Sequence, residues 1–330
     1  VFGSPNFCSL ITVKKTGGQS AALLPRVADY LLWYARDIAQ VKYRQLYVAK
    51  EVGVGEGSGA RYDNVQLVDG SRRGMTAAEK ADPSLFPKDA RPYQLTSLIS
   101  SGFQENSAVP FVFEGKSYHP GRNSHWKTPP EKLDRLAGSG RIEARANTIA
   151  YVRFVDDFPA FPLTAVWTDV AGAADKAYVV QTSPSVVRRC ILMTTDPGDL
   201  VLDPTCGSGT TAFVAEQWGR RWITCDTSRV ALAIARQRLL TARYPFFTLR
   251  SDRVRDGFVY KTVPHITLKS IAQNQRLDSC KTQEDRDRVI RESADQEPLY
   301  DQPDEDRSKI RVTGPFTVEA IPVASMEDPV

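Results

Sequence analysis

Histidine is nearly absent from this sequence, with three in 330 residues. The five cysteines, Cys8, Cys190, Cys206, Cys225 and Cys280, are scattered and form no C-x-x-C pair. These two shortages leave no basis for a disulfide framework or a zinc site, whose ligands come in spaced clusters. Scattered thiols fit a reducing compartment, and a cytoplasmic location is expected. Long apolar runs are missing too. A stretch such as YLLWYA is far shorter than the roughly 20 residues a membrane helix needs, so no membrane role is expected. The opening residues do not read as a signal peptide. The chain starts on Val1 rather than methionine, in mid-pattern at VFGSPNF, and is expected to be a fragment of a longer protein.

What is present is ordinary for a folded protein. Hydrophobic residues make up 42% and charged residues 25%, and the length allows one large domain or two moderate ones. The net charge of +4 permits a polyanionic partner without demanding one. SLITVKK and DYLLWYARD, rich in β-branched and aromatic residues and flanked by turn formers, read as two strands able to pair as a hairpin. For the second of them a helix stays open. Over residues 41–147 the pattern loosens into turn-rich stretches such as GVGEGSGARYDN, either a loop-rich insertion or a small separate domain. TIAYVRF and TAVWTDV restore order.

Residues 178–247 alternate short β runs with helical runs, the signature of an α/β arrangement. SVVRRCILMTT reads as a helix and GDLVLD as a buried strand. TTAFVAEQW is a helix stopped by Gly219, and RWITCD is the next strand. SRVALAIARQRLLTARY is a periodic helix with Ser228 as N-cap, running out at Pro245. Beyond Lys281 the dense mixed charge reads as a solvated helix or linker.

The chemistry concentrates in DLVLDPTCGSGTTAFVAEQWGRRWITCDTSR, residues 199–229. The first strand delivers Asp203 to its carboxyl end. Gly207-Ser208-Gly209 then turns the chain into a helix whose free N–H groups can face a ligand. Asp226 ends the following strand, where a carboxylate can accept from both hydroxyls of an adenosine ribose. Together these make a nucleoside-ligand site. GSGTTA satisfies a G-x-G-x-x-A dinucleotide pattern, so a nicotinamide or flavin nucleotide stays open. Asp203-Pro204 favours S-adenosyl-L-methionine, because a carboxylate there repels a pyrophosphate and attracts an ammonium. A purely structural turn is the third reading. Cys206 and Cys225 read as small core fillers.

At these residues the chain resembles an amino-group DNA methyltransferase of the β arrangement, in particular the modification subunits of type III restriction systems. DPTCGSGTT is similar to the family's cofactor motif I, ITCDTSR to motif II, and YVVQTSPSVVRRCILMTTDPGD to motif X, which precedes motif I as in that arrangement. VFGSPNFCSLITVKKT, FEGKSYHPGRNSHWKT, VRFVDDFPAFPLTAVWTDV, GFVYKTVPHITLKSIAQN and RVTGPFTVEAI extend the resemblance over most of the chain. It implies an α/β fold, a Rossmann-like S-adenosylmethionine-dependent methyltransferase sheet with an inserted loop-rich target-recognition region. It implies S-adenosyl-L-methionine as cofactor, with Asp203, Pro204, Thr205, Gly207, Ser208 and Gly209 around its methionine end. Asp226 would hold the ribose, Thr227 would lie beside the adenine, and Gln181 and Thr182 would contact the methionine portion from the other side. For Gln181 and Thr182 a plain strand-to-helix turn, capped by Ser183 or Thr182, stays open.

The same resemblance divides the chain into strands of the catalytic half (1–40), a target-recognition region (41–147), a cofactor-binding half (148–262) and a C-terminal extension, partly charged linker (263–330). The implied reaction methylates an exocyclic amine of a flipped DNA base, adenine N6 first and cytosine N4 second. A D/N/S-P-P-Y/F/W tetrapeptide would carry it, and none occurs: KTPPEK lacks an aromatic, TSPS belongs to motif X, and EDPV lacks the second proline and the ring. No catalytic residue is therefore assigned, the motif being expected upstream of Val1, and the fragment alone is expected to be inactive. Double-stranded DNA is the implied partner, with a restriction subunit or a homodimer as further candidates. Lys42, Arg44, His125, Trp126 and Lys127 are candidates for contacting it, from stretches where basic and aromatic residues interleave. Ordinary surface charge, with Trp126 as a core anchor, is the competing reading for each. Two other classes stay open: a nicotinamide-dependent oxidoreductase, which lacks a visible second acid-base constellation, and a DNA-binding module with a relic cofactor fold.

Overall fold

A computed structural model describes residues 2–15, 23–25, 27–50, 52, 58–170 and 182–320. The chain divides into two compact units. One comprises residues 1–46, 164–260 and 300–330, the other 47–163 and 261–299. No helix among the described residues is long and apolar enough to cross a membrane.

In the first unit, Phe7–Lys14 and Ala28–Tyr34 pair antiparallel, as their β-branched and aromatic residues predict, and Val166–Trp167 lies parallel to the first of them. The second strand is a strand and not a helix. Leu200–Asp203 and Arg221–Thr224 form a parallel pair with Leu200 opposite Arg221 and Asp203 opposite Thr224. Helix Thr210–Gln217 connects them, and its buried residues include Ala212, Val214 and Ala215. Gly219 stops it with φ 70°, a left-handed position that glycine takes without strain. Helix Arg229–Thr241 follows, with Ser228 Oγ accepting from Ala231 N at 3.3 Å. It ends before Pro245, which sits in strand Arg243–Phe247, paired antiparallel to Glu305–Val312. A proline tolerates that place because it gives up only one ladder donor there.

Leu200–Asp203 is not the buried strand that its apolar run predicts. Leu200 is 51% and Leu202 63% exposed, and Ile223, beside Leu202 in the register, is 50% exposed. Alternation explains it: Val201, Asp203, Trp222 and Thr224 face the opposite side and are half-buried, leaving the Leu/Ile face uncovered among the described residues.

Most of the loose middle of the sequence, from residue 47 on, lies in the second compact unit. Its five-stranded sheet has the order Ile142–Ala144, Ile149–Phe154, Arg91–Ser97, Asn64–Gln66, Arg72–Gly74, antiparallel throughout. Two short ribbons accompany it: Ile99–Ser101 with Ser124–Trp126, and Phe111–Phe113 with Lys116–Tyr118. Leu98, Phe111, Tyr118, Trp126, Leu133, Leu136, Ile142, Ile149 and Tyr151 form the core with Ile266, Ile271, Leu277, Val289 and Ile290. The last five come from the C-terminal part of the chain. The charged stretch after Lys281 is thus a structural helix, Gln283–Glu292, and not a linker, since Val289 and Ile290 are buried in that core. The compact unit accordingly runs on to residue 163 and takes in 261–299. The same unit holds a buried ion pair, Arg141 Nη1 to Asp157 Oδ2 at 2.6 Å, with Asp157 Oδ2 also accepting from Phe154 N at 2.9 Å.

Candidate functional site

The parallel pair continues past its strand ends. Cys225 N donates to Asp203 O and Cys206 N to Cys225 O, both at 2.9 Å. The next links are made by a side chain. Asp226 Oδ2 accepts from Gly207 N at 2.9 Å and Oδ1 accepts from Ser228 N at 2.8 Å. The two amides, Ser228 first and Gly207 second, hold the Asp226 carboxyl below the usual carboxylate range. Asp226 therefore clasps the glycine turn to the second strand, a positioning role that its place at a strand end does not announce. Each of its oxygens has a second lone pair for a further donor.

Gly207 and Gly209 adopt φ 51° and 73°. Gly209 also allows close packing, because a Cβ there would stand 2.8 Å from Ala235 Cβ on the next helix. Asp203 Oδ1 accepts from Thr205 N at 3.0 Å, and Pro204 and Thr205 are exposed beside it. Ser208 and Thr210 are buried. Behind them Arg238 Nη1 donates to Thr210 Oγ1 at 3.0 Å and lies over the Phe213 ring at 4.6 Å. Its burial lowers the guanidinium's pKa. Arg238 escaped sequence reasoning, since nothing in a periodic helix marks one arginine as facing inward. Cys206 is buried, and burial raises its thiol; Cys225 is exposed and is not a core filler.

Asp203, Pro204, Thr205, Gly207, Ser208, Gly209, Asp226 and Thr227 thus gather where the two parallel strands end. Gln181 lies outside the described residues. Thr182 is exposed just before helix Pro184–Thr194, whose N-cap Ser183 makes no side-chain capping bond. Open clefts of about 690 Å³ beside Arg236, Leu240 and Phe316, and about 620 Å³ beside Trp33, Asp37 and Lys42, are lined by none of the turn residues. No cluster of His, Cys, Asp or Glu among the described residues could hold a metal ion.

Across residues 2–237 the sequence matches the DNA methylase family of N6 and N4 type. The chain belongs to that family. Among curated proteins, the type II methyltransferase M.EcaI of Enterobacter cloacae is 26% identical over 83% of this chain. The chain covers 55% of M.EcaI, so it spans about half the length of that relative. The type II methyltransferase M2.DpnII of Streptococcus pneumoniae is 50% identical over 16% of this chain and 20% of its own length. The solved M1.HpyAVI–SAM complex overlaps 29% of this chain and 52% of that one at 20% identity, with a TM-score of 0.21.

The chain contains no D/N/S-P-P-Y/F/W tetrapeptide. Ser4-Pro5-Asn6-Phe7 comes nearest, with one proline and a ring, but Asn6 is a structural clamp. Its Nδ2 donates to Phe2 O at 2.9 Å and Arg36 O at 3.0 Å, and its Oδ1 accepts from Ile38 N at 3.2 Å.

The candidate DNA contacts separate. Lys42 pairs with Asp196 at 2.9 Å and Asp199 at 2.6 Å, and Arg44 with Asp196 at 2.9 Å. Both cations tie the chain to the segment between helix Pro184–Thr194 and strand Leu200–Asp203. Trp126 is a core anchor, 1% exposed, with Nε1 donating to Val109 O at 2.9 Å. His125 Nδ1 lies 2.7 Å from Gly102 O. Lys127 is exposed and makes no ion pair among the described residues.

Proposed function

We propose that this chain carries the methyl-donor site and the DNA-reading unit of a DNA methyltransferase, acting on an exocyclic base amine with adenine N6 as its target. The observation that carries the reading is the turn clasped by Asp226, in a chain of the DNA methylase family. The residues fit S-adenosyl-L-methionine. Asp203 keeps Oδ2 free of hydrogen bonds to described residues and can accept from the methionine ammonium. The second lone pairs of Asp226 can accept from ribose hydroxyls. Thr227 is exposed beside them, and Gln181 and Thr182 complete the set. When bound, the donor supplies a sulfonium methyl group for displacement by the amine.

Asp203 also sets the choice between ligands, because a pyrophosphate would meet its carboxylate where an ammonium is drawn to it. The chain holds no D/N/S-P-P-Y/F/W tetrapeptide, so we expect donor binding from it and no methyl transfer by it alone. Double-stranded DNA is its macromolecular partner in this reading, and the unit of residues 47–163 and 261–299 is the part that meets it.

Calorimetry with S-adenosyl-L-methionine, S-adenosyl-L-homocysteine and NAD tests the reading. Wild-type chain should bind the first two. Asp226→Asn, which replaces one acceptor oxygen by a donor against a backbone amide, should weaken binding by tenfold or more, since a hydrogen bond to a charged group contributes about 1.5–3 kcal/mol. NAD binding without methyl-donor binding would replace the methyltransferase by an oxidoreductase.

A further inference from the structure

The exposed end of one ribbon in the second unit has the composition of a probe. Ile99–Ser101 and Ser124–Trp126 pair with Ser101 opposite Ser124, and Gly102 N donates to Asn123 O at 3.0 Å. Phe103 and Arg122 each stand one residue beyond this last rung. Residues 101–106 and 121–123 are all exposed, and Phe103 keeps 67% of its surface accessible, the most of any aromatic among the described residues. The end is nevertheless fixed from below. Trp126 is buried under it and bonds to Val109 O, His125 Nδ1 reaches Gly102 O, and Ser107 N donates to Gln104 O at 3.0 Å. Asn123 is held at φ 57°, a conformation that few non-glycine residues adopt.

Gln104, Arg122 and Asn123 make no side-chain hydrogen bond or ion pair with any described residue. Elsewhere in the unit Arg72, Arg73, Arg91, Arg135 and Arg141 have acidic partners, while Arg61, Arg153 and Arg286, like Arg122, form no ion pair with a described residue. Residues 99–127 carry Lys116, Arg122 and Lys127 against Glu105 and Glu114. A rigid apolar wedge beside a guanidinium and two carboxamides suits a nucleic-acid groove: the ring can enter a base step, and the polar groups can meet base edges and phosphates.

We propose that this ribbon end enters a groove of double-stranded DNA, with Phe103 as wedge and Arg122, Gln104 and Asn123 as contacting groups. The proposal rests on the DNA methyltransferase reading and names the part of the second unit that meets the duplex. Trp126, the residue a sequence reader would choose, supports the probe from beneath.

Fluorescence anisotropy of the whole chain with a labelled 30-base-pair duplex of randomised sequence, over a salt series, tests it. Arg122→Ala should weaken binding and reduce the salt slope by about one, as loss of one phosphate contact does. Phe103→Ala should weaken binding about tenfold. Val68→Ala, another exposed apolar residue, should bind as wild type. Phe103→Trp should retain binding and gain an emission that the duplex quenches, a signal that a ring held away from DNA would not give. Wild-type affinity and slope in both alanine variants, or no salt-dependent duplex binding by the wild-type chain, would overturn the proposal. Donor calorimetry on the same preparations separates the two claims. Intact donor binding with unaffected variants removes the ribbon proposal alone, while absent donor binding removes the methyltransferase reading.

Discussion

Gly209 is the residue at which the turn, the helix start and the packing of two helices coincide. Its φ of 73° suits glycine, and its missing Cβ lets Ala235 approach. Gly209→Ala would have to adopt the left-handed region and push a rigid backbone-bound methyl apart from another. Strain of the first kind and overpacking of the second together cost about 2 to 4 kcal/mol. Urea unfolding should show that loss, and donor affinity should fall with it because the same turn carries Gly207. Gly70→Ala is the control: it also has positive φ, at 83°, but open space where the Cβ would be. It should lose only the conformational part, about 1 kcal/mol. Equal losses in the two variants would show that the approach of Ala235 has no energetic weight.

Among the elements, strand Leu200–Asp203 makes the sharpest case. A short apolar run, Leu200-Val201-Leu202, reads as a buried strand, yet its Leu200 and Leu202 side is exposed. Leu202→Glu should therefore change stability by about 0.5 kcal/mol or less, as exposed substitutions do, where truncating a buried leucine costs 2 to 5 kcal/mol. The midpoint of urea unfolding decides between these values. Removing part of an uncovered Leu/Ile patch should also lower self-association, which light scattering would register. The β-α-β segment itself was legible because each element carries its own punctuation: Asp203 and Asp226 at strand ends, glycines in the turn, Gly219 at the helix end and Ser228 at the next helix start. The ribbons were not. Three-residue strands such as Ser124–Trp126 are too short for a period, and the partners of Ser124–Trp126 lie more than twenty residues away in the sequence. The function of Asp226 was half legible. Its position suggested a ligand, while its bonds to Gly207 and Ser228 depend on how far apart the two strand ends fall.

At the scale of the whole molecule, the chain leaves the first unit near residue 46, returns near 164, leaves again after 260 and returns at 300. Composition could not show that 261–299 belongs with 47–163, because in helix Gln283–Glu292 only Val289 and Ile290 are apolar and two adjacent residues set no stripe. The core that they enter consists of second-unit residues. Arg141 and Asp157 lie wholly within that unit, at 2% and 0% side-chain exposure. Removing one member leaves the other charged and buried, at a cost of about 3 to 5 kcal/mol, whereas replacing both by apolar residues of similar size is close to neutral. Arg141→Met should thus unfold the second unit at lower urea, and Arg141→Met with Asp157→Leu should restore most of the loss. The functional consequence follows from where the site residues sit. Asp203, the glycine turn and Asp226 belong to the first unit, and the ribbon end to the second. Arg141→Met should abolish duplex binding at urea concentrations where donor binding persists, and the double variant should recover it. Simultaneous loss of both activities at one urea concentration would mean that the two units fold as one and that the donor site needs the second unit to stand.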